Sequence, residues 1–180
     1  MTWPGIEEDI AKLVSACPTC QLLKAKPPRT SELGSTAASH PLQSLFIDHN
    51  GPLKPSKSGF NFILVLIDRF LGWTIIEPTK STSAEEAAQK IIDSWISIFG
   101  IPESITADSG SAFTSKIFKS CCQLLETKLH IALPGNHEGV GAVENMNRTV
   151  NKLLRSVLID GTFTDWVDGV KLVQCRVRCR

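Results

Sequence analysis

The chain has almost no excess charge, no long hydrophobic run and no basic N-terminal segment. Its 180 residues carry a formal net charge of +1, so the chain as a whole is not strongly attracted to nucleic acid or to membranes. No run of 18 apolar residues occurs, which argues against a membrane span, and residues 1–9 hold three acids and no basic region, which argues against a signal peptide. A nucleic-acid surface must therefore be local or lie outside this chain.

The six cysteines lack the regular spacing of a disulfide framework. They form one adjacent pair and two close pairs, in a chain that is long for a fold held together by disulfides. We therefore expect an intracellular, reducing location. The composition, 42% hydrophobic and 21% charged, is typical of a soluble globular protein with one domain-sized core and a short appendage.

The periodicity of apolar residues predicts a mixed β-sheet covered by helices. Residues 6–16 have helical spacing, and the stretch from Lys24 to His40 is rich in Lys, Pro, Ser and Thr, which indicates a linker that ends near residue 40. The predicted strands are 45–49, 60–68, 73–77 (closed by Pro78), 104–107 and 128–132. The predicted helices are 83–99, 115–126, 143–158 and one that begins near Thr164, with residues 133–141 as a loop.

Two aspartates and one glutamate stand out because converging carboxylates hold Mg²⁺ for phosphoryl transfer. Asp48 lies on the first predicted strand, Asp108 follows the fourth strand, and 35 residues separate Asp108 from Glu144. Spacing alone is weak support, because acids supply 18 of the 180 residues and a fixed offset meets one about one time in ten.

The helix that carries Glu144 has two distinct faces. At about 100° per residue, one face is an apolar stripe suited to a core. The opposite face groups Glu144 with Arg148, Asn151, Lys152 and Arg155. This face is either solvated, with Glu144 paired to Arg148, or a metal-binding carboxylate beside a cationic track for a phosphate backbone.

The motifs together resemble the catalytic core of a retroviral or retrotransposon integrase, the Asp, Asp-35-Glu type. The resemblance covers nearly the whole chain from residue 3, and the N-terminal segment with Cys17 and Cys20 resembles the end of the family's His-His-Cys-Cys zinc domain. The core motifs are Asp48 with Gly51-Pro52, Asp68-Arg69-Phe70 with Gly72-Trp73, Pro78-Thr79-Lys80, Gly100-Ile101-Pro102, Asp108-Ser109-Gly110 with Phe113, and Val143-Glu144-Asn145-Met146-Asn147-Arg148-Thr149.

This resemblance implies an RNase H-like α/β fold: a five-stranded mixed sheet flanked by helices and preceded by a short helical zinc-domain remnant. It implies a remnant at 1–24, a linker at 25–40 and the catalytic core at 41–180. In the family, the positions of Asp48, Asp108 and Glu144 are catalytic and bind two Mg²⁺ or Mn²⁺ ions, which activate the attacking oxygen and stabilise the leaving oxygen. Asp68 corresponds to a structural position.

The implied reactions are 3′-end processing of the element's DNA and DNA strand transfer, by direct in-line displacement. The implied partners are element ends and target DNA, with a homodimer or higher homo-oligomer and no membrane, and the protein would be nuclear when acting on chromosomal DNA. By the resemblance, Asn147, Arg148 and Lys152 match positions on the viral-DNA side. Asn151 and Arg155, from the cationic face, extend the predicted DNA-binding set.

Three departures from the family pattern bear on activity. The polar loop before the catalytic glutamate is replaced by residues 134–140, which include Glu138 and Val140. Cys17 and Cys20 form half of a four-ligand zinc site, so we expect a truncated chain without stable zinc binding. The family's basic C-terminal domain is also absent from the sequence, in agreement with the low net charge.

These departures leave two alternatives to an active integrase core. One is a catalytically inactive, genome-resident integrase relic that acts, if at all, as a nucleic-acid- or protein-binding module. The other is an RNase H-like nuclease for RNA–DNA hybrids, which the 35-residue spacing and the late glutamate disfavour.

Overall fold

A five-stranded mixed sheet forms the centre of the chain in the computed structural model, which describes residues 3–16, 38–132, 140–159 and 163–178. The strands are β1 (Ser44–Asn50), β2 (Phe62–Asp68), β3 (Thr74–Thr79), β4 (Ser104–Ala107) and β5 (Lys128–Ile131), in the order β3-β2-β1-β4-β5. Strand β2 pairs antiparallel with both β1 and β3, whereas β4 pairs parallel with both β1 and β5. This arrangement matches the mixed sheet expected from the sequence.

The helices lie before, between and after these strands. They are α1 (Ile6–Ala16), α2 (Ala84–Ile91), α3 (Ser97–Phe99), α4 (Ser111–Thr114), α5 (Lys116–Leu124), α6 (Val140–Ile159) and α7 (Trp166–Arg178), with a π-helical turn at Ile92–Ile96 between α2 and α3. Within the described ranges, no helix is long and apolar enough to cross a membrane.

Alternating side chains of the central strands build two cores, one on each face of the sheet, because successive residues of a strand point to opposite sides. Leu45, Ile47 and Leu64 contribute to the core beneath α2 and α5, which also contains Trp95 and Phe113. The second core lies beneath α6 and α7, and its buried members are Phe46, Ile63, Val65, Ile67, Ile76, Val150, Leu154, Trp166, Val170, Val173 and Val177.

Helix boundaries follow the capping residues of the sequence. Ser83 caps α2 by accepting a hydrogen bond from the backbone N–H of Glu86 at 3.2 Å. The helical segment ends at Gly100, whose φ of 86° favours glycine. Both confirm the predicted limits of helix 83–99, although the π-helical turn inside it was not predicted.

The prediction that strand 73–77 closes at Pro78 is wrong. Strand β3 continues through Pro78 to Thr79, and Pro78 is in register with Ile63 of β2. The strand tolerates proline because β3 is at the edge of the sheet, where no strand of the described residues pairs with its outer side.

The predicted helix 115–126 is shorter than expected, and a second short helix precedes it. It runs over Lys116–Leu124, capped by Ser115, which accepts a hydrogen bond from the Phe118 N–H at 3.1 Å. The additional short helix α4 (Ser111–Thr114) fills the turn after Asp108, a segment that the sequence suggested was only a turn.

Candidate active site

The first two predicted carboxylates lie at the same end of neighbouring parallel strands. Ile47 of β1 and Ala107 of β4 are register partners, and Asp48 and Asp108 come directly after them. Parallel strands deliver the residues at their carboxyl ends to one edge of the sheet. The fold therefore brings Asp48 and Asp108 side by side, although 59 residues separate them in sequence.

Asp108 is exposed and has a short-range bond to its own loop. Its Oδ1 accepts a hydrogen bond from the backbone N–H of Gly110 at 3.0 Å. A Cβ at position 110 would lie 2.8 Å from this oxygen, so any larger residue there would displace the carboxylate from its present position. This Asx-type turn fixes the carboxylate beside the start of α4.

Asp48 lies half-buried beneath the long helix α6. Its Oδ2 accepts a hydrogen bond from Nδ2 of Asn147 at 2.5 Å. Two residues further along β1, the amides of Asn50 and Asn151 bond to each other in both directions, at 3.0 and 3.2 Å. Helix α6 is therefore tied to β1 on two successive turns.

Glu144 belongs to the first turns of α6, but its side chain lies outside the described ones. Asn147 follows it by three residues, and residues three apart are neighbours on a helix surface. The contact between Asn147 and Asp48 thus brings the part of α6 that includes Glu144 next to β1.

The imidazole of His49 packs on the other face of β1, against Phe113, with ring centroids 5.0 Å apart. Burial lowers the pKa of His49, while the negative charges of Asp108 and Glu86 oppose that effect. Its Nε2 is buried and has no hydrogen-bond partner among the described residues. The sequence did not indicate that His49 is half-buried beside the site, because no sequence pattern distinguishes a histidine that packs on an aromatic ring.

Asp68 has the structural role that the resemblance implied. It is fully buried, and its Oδ2 accepts the Leu42 N–H at 2.7 Å. Its Oδ1 accepts the N–H groups of Phe70 and Leu71 at 2.7 and 3.0 Å. The carboxylate is therefore enclosed by backbone donors of the β2–β3 turn and of the segment before β1.

The predicted DNA-binding residues of α6 fall into two groups. Arg148 and Arg155 are exposed and Lys152 is half-buried, so these cations border the surface of the helix. Asn147 and Asn151 instead bond to side chains of β1. On the core side of the same helix Val150 and Leu154 are buried, as the apolar stripe predicted.

The chemistry of the donor set suits a hard divalent cation. Carboxylate oxygens are the ligands that Mg²⁺ prefers, and the side-by-side aspartates supply them. Among the side chains that the structure describes, no three from His, Cys, Asp and Glu form a metal-binding group. The third predicted ligand, Glu144, is outside that set, as are Cys17 and Cys20 of the predicted half zinc site and the side chains of residues 134–140, the altered loop.

A family model described as the integrase core domain matches residues 38–137 of this chain. The chain belongs to this family. The match includes Asp48 and Asp108 and ends before Glu144. The suspected family is thus confirmed over the sheet and the first two predicted metal ligands.

Polyproteins of fission-yeast retrotransposons are similar along most of the chain. Transposon Tf2-3 polyprotein and Transposon Tf2-4 polyprotein of Schizosaccharomyces pombe are each 36% identical over 176 residues. The match covers 96% of this integrase-family chain and 13% of each relative. The chain therefore spans about an eighth of the length of these curated relatives.

Two solved structures show the same fold. The simian T-cell lymphotropic virus intasome, in complex with PP2A regulatory subunit B56 gamma, matches 93% of this chain and 59% of its own, with a TM-score of 0.69 and 19% identity. The HTLV-2 integrase catalytic core domain, in complex with magnesium and in a trimeric form, matches 76% and 85%, with a TM-score of 0.62 and 22% identity. This confirms the expected RNase H-like fold.

Proposed function

We propose that this chain is the core of a retrotransposon integrase that catalyses polynucleotidyl transfer, both 3′-end processing and DNA strand transfer. The observation that carries the proposal is the placement of Asp48 and Asp108 side by side, with α6 bonded to Asp48 through Asn147. Transposon polyproteins are similar over 96% of the chain, which supports an element of that kind. The proposed site of action is chromosomal DNA in the nucleus.

Asp48, Asp108 and Glu144 are the proposed ligands of two Mg²⁺ or Mn²⁺ ions. Divalent ions bound there would supply electrophilic stabilisation of the attacking and leaving oxygens of DNA. A solved structural neighbour is in complex with magnesium, and the described carboxylates have the required oxygen chemistry. The protein's own contribution is to fix these carboxylates through the sheet register, the Gly110 turn and the bond from Asn147.

DNA is the proposed macromolecular partner, held along α6 by its cations. Arg148, Lys152 and Arg155 follow Glu144 at spacings of four, eight and eleven residues, which keeps them near one helix face. They form a local basic strip in a chain whose net charge is only +1, so phosphate contacts would concentrate there.

Replacing one of these cations should weaken DNA binding in a salt-dependent way. For Arg155→Ala we expect a lower affinity for DNA at low salt. The slope of log affinity against log salt concentration should be smaller in magnitude by about one, because one phosphate contact is lost. Lys171→Ala, on the exposed surface of α7, is the matched control and should leave the slope unchanged. An Arg155→Ala variant with wild-type affinity at every salt concentration would remove Arg155 from the DNA track.

We further propose that the chain acts as a homo-oligomer. The described surface between β3 and the helical segment 84–99 carries exposed apolar side chains, including Trp73 and Ile98, beside a groove. Exposed apolar patches of this kind are typical of protein contacts. Sedimentation of the chain at increasing concentration tests this, and a monomer throughout would count against it.

The experiment that tests the proposed function is a joining-reversal assay on branched DNA with Mn²⁺. This reaction depends on the core's chemistry and demands least of other domains. We expect activity in the wild type and none in Glu144→Gln, with Lys171→Ala as an active control. A folded wild-type chain without activity would instead favour the inactive relic, and cleavage of RNA–DNA hybrids without DNA joining would favour a nuclease.

A further inference from the structure

Strand β1 and helix α6 are matched in spacing where they meet. Asp48 and Asn50 are alternate residues of β1 and project from one face of the sheet. Asn147 and Asn151 are four residues apart, so they lie one turn apart on one face of α6. Each strand residue bonds to one helix residue, Asp48 to Asn147 and Asn50 to Asn151.

The side-chain amides of Asn50 and Asn151 are hydrogen-bonded to each other. Nδ2 of Asn50 donates to Oδ1 of Asn151 at 3.0 Å, and Nδ2 of Asn151 donates to Oδ1 of Asn50 at 3.2 Å. Both side chains are half-buried, whereas the neighbouring Arg148 and Arg155 are exposed. Asn151 is therefore engaged with the sheet, which sets it apart from the cations that border the helix surface.

A reciprocal amide pair constrains a helix in a way that apolar packing does not. Val150 and Leu154 hold α6 on the core, but apolar burial is not directional. A shift of α6 by one residue would move each side chain by about 1.5 Å along the axis and about 100° around it. Such a shift would break both bonds between Asn50 and Asn151, because hydrogen bonds weaken steeply with misalignment.

We propose that Asn50 and Asn151 are positioning residues that fix the height and rotation of α6 against β1, and so hold Glu144 where it can bind metal together with Asp48. The inference rests on the proposed function, since it assigns the pair a role in assembling that site. It also assigns Asn151 a role different from the DNA contact that its place on the cationic face predicts.

The test compares Asn50→Ala, Asn151→Ala and the double variant with Gln174→Ala. The control is matched in kind, because Gln174 also links a helix to a strand: its Oε1 accepts the Ile76 N–H at 3.0 Å. Four quantities are measured: the unfolding temperature without metal, the apparent Mn²⁺ affinity from the metal-induced rise in that temperature, and both kcat and KM for branched DNA in the joining-reversal assay.

We expect Asn50→Ala and Asn151→Ala each to weaken the apparent Mn²⁺ affinity by about tenfold, the lower end of what lost partners of metal ligands cost. Both should lower kcat and leave the KM for DNA unchanged. The double variant should be no worse than either single one, since the two residues act as a unit. Gln174→Ala should lower the unfolding temperature but keep the Mn²⁺ affinity of the wild type.

Wild-type Mn²⁺ affinity in both alanine variants would overturn the proposal and leave the pair a purely structural link. A rise in the KM for DNA in Asn151→Ala alone would overturn it in favour of a DNA contact. If the wild type itself shows no response to Mn²⁺, the proposed function fails, and the inference fails with it. Should an alanine variant not fold, Asn151→Gln keeps the amide but displaces it, and should weaken Mn²⁺ affinity in the same direction.

Discussion

Asp68 and Asp108 both stand at the ends of strands, but their carboxylates have opposite environments. Asp68 ends β2, is fully buried and accepts three backbone N–H groups. Asp108 follows β4, is exposed and accepts one N–H from two residues away. A carboxylate whose oxygens are enclosed by backbone donors stabilises a turn, whereas one held by a single local bond keeps lone pairs for a ligand.

Two further carboxylates lie between these extremes. Asp165 is buried and accepts the N–H groups of Lys57 and Val167 at 2.6 and 3.2 Å, which joins the β1–β2 loop to the start of α7. Glu86 is half-exposed and accepts the N–H groups of Lys80 and Ser81 and the Ser81 hydroxyl. The four residues thus form a series from three backbone donors for Asp68 to one for Asp108, and their burial decreases in the same order.

The largest loss of stability is expected for Asp68→Ala. The variant leaves three backbone N–H groups without their acceptor next to a buried site, and we expect a loss of about 4 kcal/mol in the free energy of unfolding. Denaturant unfolding without metal measures it. Asp68→Asn, which keeps one carbonyl oxygen, should lose less. A change below about 1 kcal/mol for Asp68→Ala would show that this turn is satisfied in another way.

Asp165→Ala should lower the free energy of unfolding by about 2 kcal/mol. This is the upper end of the range for a lost helix cap, because the variant also loses the hydrogen bond to the Lys57 N–H. Asp168→Ala is the control, since Asp168 is an exposed acid in the first turn of the same helix. The measurement is again denaturant unfolding. Equal losses in both variants would mean that negative charge near the helix start, and not the bonds of Asp165, provides the stability.

Glu86→Gln should lower the free energy of unfolding by about 1 kcal/mol at pH 7, and this loss should depend on pH. Burial alone would raise the pKa of Glu86, but the hydrogen bonds from Lys80 and Ser81, helped by the charge of Lys90, bring it below its ordinary value of 4.5. A lowered pKa gives stability above pH 4.5 that is lost as the pH falls through the folded-state value.

Unfolding of wild type and Glu86→Gln from pH 7 to pH 3 tests that sign. The difference between them should shrink below pH 4.5, while Glu85→Gln, an exposed neighbour on the same helix turn, should stay within about 0.5 kcal/mol of the wild type. A difference that does not vary with pH would show that the bonds of Glu86 do not depend on its charge.

Much of the sheet could be predicted because its signals are local. The apolar run that ends at Asp68 identifies a strand buried on both faces. Ser83 and Ser115 stand at the predicted helix starts, and each caps a helix in the structure. The end of β3 could not be predicted, because the tolerance of Pro78 depends on the strand being at the sheet edge. The π-helical turn at Ile92–Ile96 likewise has no local sequence signal.

For the site, the sequence predicts a set of residues but not the contacts among them. Asp48, Asp108 and Glu144 stand out through their flanking motifs, whereas the pairing of Asn50 with Asn151 joins residues 101 apart and follows only from the packing of α6 on β1. The same packing bonds Asn151 to the sheet, although Asn151 shares a helix face with Arg148, Lys152 and Arg155. Periodicity gives the face of a helix but not which of its polar residues meet the sheet.

The central claim is that the least supported carboxylate of the series is the one that binds metal. The most direct measurement is the rise in unfolding temperature with increasing Mn²⁺ for wild type, Asp108→Asn and Asp68→Asn. Stabilisation follows RT ln(1 + [L]/Kd), about 1.4 kcal/mol at ten times Kd. We predict that Asp108→Asn has the wild-type unfolding temperature without metal and that Mn²⁺ does not raise it. Asp68→Asn should unfold at a lower temperature, which Mn²⁺ should still raise. An Asp108→Asn variant that Mn²⁺ stabilises as much as the wild type would contradict the account.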